Sequence, residues 1–232
     1  MRDKTMQRYY PSSIIINSTE AFVNEEQISR SKHLARAMLC NTNKKRIFIS
    51  STERDLKNMR IHVKTLLEKQ GYEVIMFESP DFPQMPVDKQ GRAATHDHCI
   101  DVALTCKYLI YIYDGTFGGP YSGTDYMKYV NDHPVIKIKP SVSFVEYLVS
   151  KHYYKDVRVY VSNAVDVARG GYLMNGSPEK YKSRAVDKRE VLEQLGYFNA
   201  LGNGTWYQKY TTVEDLDKFL LAAFPQDNES DM

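Results

Sequence analysis

The chain has 232 residues, 42% hydrophobic and 26% charged, with a formal net charge of +2. That length suits one elaborated domain, or a domain with a small appendage. The charge is too weak to argue for a nucleic-acid or membrane-surface partner, and no apolar run approaches the ~18 residues of a membrane-spanning helix. Met1 is followed by charged residues rather than a signal-peptide core, so a cytoplasmic protein is expected. The three cysteines, Cys40, Cys99 and Cys106, are an odd set with no CxxC spacing, which fits reduced thiols. Cys99 and Cys106 share a helix face and read as core packing.

Residues 1–44 read as an N-terminal extension that packs on the main domain or mediates assembly. Ile14-Ile15-Ile16 is either a short added strand or an apolar plug, and Thr19 to Leu39 predicts a helix that Asn41-Thr42-Asn43 breaks. The main domain opens with Ile47-Phe48-Ile49, a buried strand over about 46–50. Ser50-Ser51-Thr52 leads into a helix with Leu56, Met59, Val63, Leu66 and Leu67 on its apolar stripe. Thr52 followed by Asp55 predicts a capping pair, and Gly71 ends the helix. Val74 to Phe77 is a second strand ending at Glu78. A long loop broken by Pro80, Pro83, Pro86 and Gly91 is expected to be a lid or rim.

A helix over about 93–107 follows, then the apolar and aromatic run Leu109 to Tyr113, which has the look of a central strand covered on both faces. After Asp114 comes GTFGGPYSGT (Gly115 to Thr124), with four glycines and one proline, a loop that lets backbone approach a ligand closely. Pro134 to Ile138 reads as the fourth strand. Ser143 to His152 is helical, Val157 to Val161 alternates like an extra strand, and Lys188 to Leu201 is helical. Thr205 to Tyr210 reads as the last strand, and Thr212 caps a final helix to Phe224. The acidic tail, 225–232, is expected to be disordered.

This alternation predicts an α/β, flavodoxin-like, doubly wound parallel sheet in the order 2-1-3-4-5. Residues 45–224 form the domain, with about 140–204 as a long insertion before the last strand. A competing arrangement makes 157–161 the fifth strand and 163–224 a small C-terminal subdomain.

The expected site is the edge where the strands end. It collects Ser50, Ser51, Thr52, Glu78, Asp114, Gly115 and Gly118, followed by Ser122, Thr124, Asp125 and Tyr126. Free N–H groups at the first helix start attract phosphate or carboxylate. Arg54 and Arg60 are suited to bidentate phosphate binding, while Arg60 has the alternative of pairing with Asp55 or a loop carboxylate. No P-loop or dinucleotide fingerprint is present, which excludes a standard ATP or dinucleotide site. His96-Asp97-His98-Cys99 does not make a metal site, because i and i+2 on a helix point apart. Tyr121 and Tyr126 flank the glycine loop, either as core residues or as a platform for a base.

Ile47 to Thr52 with Arg54, Asp55, Leu56 and Arg60 resembles the opening signature of the DUF4062 family. The similarity continues through Cys99, Leu109 to Tyr113, Gly115, Phe117, Gly118, Ser122 and Thr124, and ends with Trp206 to Leu216. The resemblance implies a TIR-like or nucleoside deoxyribosyltransferase-like domain whose relatives bind nucleosides, nucleotides or NAD. Several relatives cleave N-glycosidic bonds; others sense or assemble, often in innate or anti-phage immunity. Cleavage of NAD or a nucleotide is therefore expected, with Asp125 or Glu78 engaging the ribose and no further cofactor. A homo-oligomer or a defence or signalling partner protein is expected too. The alternative is a non-catalytic nucleotide-sensing or assembly module. Family members often read S-x-T-E-x-E where Ser122 to Met127 reads SGTDYM, and the thioether of Met127 cannot act as nucleophile.

Overall fold

The computed structural model describes residues 45–83, 95–127, 140–153, 156–175 and 207–226. Its elements in chain order are β1 (Arg46–Ser50), α1 (Glu53–Lys69), β2 (Glu73–Ile75), α2 (Thr95–Thr105) and β3 (Tyr108–Tyr113). Then follow α3 (Val142–His152), β4 (Asp156–Ser162), α4 (Asn163–Asn175), β5 (Gln208–Tyr210) and α5 (Val213–Ala223). The five strands form one sheet in the order β2-β1-β3-β4-β5, and every pairing is parallel.

Alternation along each strand divides the core into two faces. Phe48, Leu109, Tyr111, Tyr113, Val159 and Val161 point to the face covered by α2, α3 and α4. Ile47, Ile49, Ile110, Ile112 and Tyr160 point to the opposite face, covered by Leu56, Val63 and Leu67 of α1 and Leu216 and Leu220 of α5. Both faces of β1 and β3 are therefore buried, which is why their sequences are nearly continuous apolar runs. Gly71 follows α1 with φ 90°, and its N–H donates to the Glu68 carbonyl, so the helix ends where the sequence predicts.

The expected fold and strand order hold, with one reassignment. The fourth place belongs to Asp156–Ser162, which pairs with β3 along its whole length. Residues 140–153 and 156–175 thus supply a strand of the sheet and its covering helices, not an insertion. The alternation of Asp156–Ser162 has a physical cause. β5 pairs only with Tyr160, Val161 and Ser162, so Asp156 and Arg158 at the strand's other end stay exposed. The predicted strand at 134–138, the N-terminal extension, the helix at 188–201 and the tail from 227 onward lie outside the described residues. Cys99 and Cys106 are buried thiols, as core packing requires.

Candidate functional site

The chain moves from β1 toward β2 in one direction and from β3 toward β4 in the other. Where a doubly wound sheet reverses like this, the carboxyl ends of the flanking strands open a crevice. Ser50 ends β1 and Tyr113 ends β3, so Ser50-Ser51-Thr52 and Asp114-Gly115 form its rims.

At its centre is Glu146, in α3 and 5% exposed. Its Oε2 lies 2.5 Å from Ser50 Oγ, which also lies 3.2 Å from the Ser143 carbonyl. The Ser50 hydroxyl donates to the Glu146 carboxyl, with the Ser143 carbonyl as a second, longer acceptor. Burial pushes the Glu146 carboxyl up to about 7, with Glu78 adding to the rise and Ser50 and Arg60 opposing it.

Arg60 is the second buried charge, 2% exposed. It reaches from α1 to donate to the Ser51 carbonyl at 3.3 Å, and its Nη2 stands 2.7 Å from Glu78 Oε2. It therefore ties the carboxyl ends of β1 and β2 together. Burial lowers the pKa of its guanidinium, opposed by the charges of Glu78 and Glu146. One turn further along α1, Lys64 holds the Val74 carbonyl at 2.6 Å and Asp81 at 2.9 Å. Burial raises the Cys99 thiol well above its ordinary pKa, beside the same charged groups. It is a core thiol rather than a nucleophile.

Several buried polar atoms of this edge have no hydrogen-bond partner among the described residues: Ser51 Oγ, Thr52 Oγ1, Arg60 Nε and Glu78 Oε1. Buried polar groups are nearly always paired, so such a cluster needs an explanation. The predicted Thr52–Asp55 capping pair is not formed. Thr52 takes the N-cap position of α1, but its side chain makes no cap bond. The glycine loop lies over it. A Cβ on Gly118, at φ +73°, would stand 3.1 Å from the Thr52 methyl. The same loop is fixed to the start of α3, where the Tyr121 N–H donates to the Pro140 carbonyl and the Val142 N–H to the Gly119 carbonyl.

The expected gathering of residues divides in two. Ser50, Ser51, Thr52, Glu78 and Gly118 meet at the crevice. Asp114 accepts from the Thr116 N–H at 3.0 Å and shapes its own turn, in which Gly115 has φ 101°. Arg54 is exposed on α1. Ser122, Thr124, Asp125 and Tyr126 are drawn to the α2 side. The Ser122 N–H donates to His96 Nδ1 at 2.9 Å, and the Thr124 N–H to Asp97 at 3.2 Å. The hydroxyls of Tyr121 and Tyr126 donate to Asp97 and Asp101. Asp125 accepts from the Thr124 hydroxyl at 3.1 Å. Gly123 has no room for a Cβ, which would collide with Asp97 and the Tyr121 hydroxyl. Tyr121 and Tyr126 are buried, and Met127 packs partly buried against the core. His96 and His98 reach different partners, Ser122 and the Pro83 carbonyl. A pocket of about 390 Å³ lies at the opposite end of β4, lined by Tyr147, Lys151, Arg158, Gln208 and Phe219, and holds none of these groups.

Sequence reasoning missed Glu146. The signal was a lone carboxylate inside the run from Ser143 to Ser150, all of which is buried.

With this geometry in place, the sequence model described as "Domain of unknown function (DUF4062)" matches residues 46–221. The chain belongs to that family, and the match spans the ten described elements from β1 into α5. Searches of curated proteins and of solved structures found no match. Among the described residues no helix is long and apolar enough to cross a membrane.

Proposed function

We propose that this domain is a TIR-like or deoxyribosyltransferase-like N-glycosidase acting on NAD or a nucleotide, in a defence or signalling setting, with Glu146 as its acid. The observation that carries this is the placement of Glu146. It is a buried carboxyl at the topological switch point, held by Ser50 at 2.5 Å and raised toward neutral pH by its burial. Cleavage of an N-glycoside passes through an oxocarbenium-like carbon that a carboxylate stabilises. In the proposed reaction the C1′–N bond breaks and its electron pair leaves with the base. Water adds to C1′ and ionised Glu146 takes the water's proton, which then passes to the departing base of a nucleotide or, where neutral nicotinamide leaves NAD, to solvent. Asp125, bound to Thr124 on the α2 side, has no part in this version of the chemistry.

The test is base release, followed by liquid chromatography, from NAD, nucleosides and nucleotides at low and high protein concentration. Release that disappears in Glu146→Gln, in a variant that still unfolds cooperatively, supports the reading. Release that persists in that variant overturns it.

One observation favours a sensing or assembly module instead. The orphaned oxygens of Ser51, Thr52 and Glu78 are shut away from solvent in this form. Thermal stabilisation by one of these compounds without base release would assign the domain to that class.

A further inference from the structure

The loop after β3 has two unlike halves. The second half is fastened on two sides. The Tyr121 N–H donates to the Pro140 carbonyl at 2.8 Å, and the Val142 N–H donates to the Gly119 carbonyl at 3.1 Å. The hydroxyls of Tyr121 and Tyr126 donate to Asp97 and Asp101 of α2. The first half, residues 115–118, is held differently. Asp114 closes its own turn onto the Thr116 N–H, but Phe117 and Gly118 make no hydrogen bond among the described residues. Phe117 packs, partly buried, against the core, and Gly118 rests on the Thr52 methyl. Gly118 is exposed while Thr52 beneath it is buried, so the cover at that point is one residue thick.

We infer that residues 115–118 form a strap, closed over Thr52 in this form, that swings open on its own glycines and gates the crevice; that the gated crevice takes a ligand rests on the function proposed above. Both ends of the strap can turn. Gly115 has φ 101° and Gly118 φ 73°, and glycine passes between positive and negative φ without the clash that a Cβ would meet. Little resists the motion, since lifting Phe117 and Gly118 breaks apolar contact and no hydrogen bond of theirs. Opening also relieves a penalty. The Thr52 hydroxyl beneath the strap and that of its neighbour Ser51 are buried and unpartnered among the described residues. A buried, unpaired hydroxyl costs free energy that hydration returns. Segments bonded so sparsely open locally, well short of global unfolding. The second half of the loop stays in place, because Tyr121 and Tyr126 tie it to α2.

Thiol labelling of the full chain tests the strap without a ligand. Thr52→Cys places a thiol beneath it, and the buried Cys99 and Cys106 act as internal clocks that react only when the core opens. Labelled sites are resolved by peptide mass, each rate scaled to that thiol's rate in urea. Position 52 should label at least about tenfold faster than Cys99 and Cys106. Phe117→Ala removes the strap's apolar hold and should speed labelling at position 52 several-fold. A position 52 no faster than the two clocks overturns the inference. So does a fast position 52 that Phe117→Ala leaves unchanged, because access then comes by another route. Pairing Thr52→Cys with Gly118→Cys allows a disulfide that pins the strap. Base release should be lost on oxidation of that variant and return on reduction; undiminished release by the oxidised form overturns the gate. Fast labelling at position 52 with no base release from any compound keeps the strap and removes the glycosidase. Base release with position 52 as slow as the clocks removes the strap and leaves the glycosidase.

Discussion

Thr-x-x-Asp occurs at the start of α1, as Thr52 and Asp55, and again at the start of α5, as Thr212 and Asp215. At α5 both halves of a capping box form. The Asp215 N–H donates to Thr212 Oγ1 and the Thr212 N–H donates to Asp215 Oδ2, each at 3.2 Å. At α1, Thr52 holds the same N-cap position with extended backbone, yet its hydroxyl bonds to nothing in the helix. The surroundings differ. Thr212 is exposed, whereas Thr52 is buried at the crevice beneath Gly118. In solvent the local rule decides the geometry. At the crevice, Arg60, the end of β1 and the glycine loop decide it, and the threonine hydroxyl is left over.

If α1 is held by tertiary charge rather than by its cap, Arg60 should matter most. Arg60→Met leaves the buried Glu78 carboxylate uncompensated and the Ser51 carbonyl without its donor. It should cost about 3–5 kcal/mol in urea denaturation, well beyond a cap. Replacing Glu78 by Met as well should recover most of that loss, since an apolar pair of similar volume is often neutral. A cost no larger than that of Thr212→Ala would mean that the two helix starts are held alike.

Glu146 should show the next largest effect, and a pH-dependent one. Its carboxyl is raised from 4.5 to about 7 on folding. Between those values the folded chain holds a proton that the unfolded chain releases, so wild-type stability should fall as pH rises from about 4.5 to about 7. Gln carries no such proton. Glu146→Gln should therefore gain on wild type by up to about 3 kcal/mol between pH 4.5 and pH 8. Denaturation curves of the two proteins at both pH values measure the difference. A constant gap would show that the buried carboxyl does not titrate in this range.

The contrast between the two helix starts also marks how far the sequence could be read. The sheet order was legible because β1 and β3 are apolar on both faces and the α1 and α5 stripes keep a helical period. The identity of the fourth strand was not, because the uncovered end of Asp156–Ser162 gives it an edge-like alternation. Ser50, Ser51, Thr52 and Glu78 were legible as strand ends. Glu146 was hidden by its own helix: Ser143 to Ser150 is buried on every side, so no polar stripe set the acid apart from packing residues. The division between the crevice and the α2 cluster was also out of reach. It depends on Asp97 and Asp101 capturing two tyrosine hydroxyls from a loop more than twenty positions away.

The smallest effect is the most direct test of the comparison. Thr212→Ala removes a cap that is made, and should cost about 1 kcal/mol in thermal or urea unfolding. Thr52→Val removes a hydroxyl that is buried and unpartnered while keeping its volume, so it should be neutral or stabilising by up to about 1 kcal/mol. The same motif would then give opposite signs at its two copies. A polar group that lowers stability where it stands, in a crevice beside a poised carboxyl, is the signature of a position kept for binding rather than for folding. Equal losses at both threonines would instead make Thr52 an ordinary cap and withdraw its hydroxyl from the ligand site.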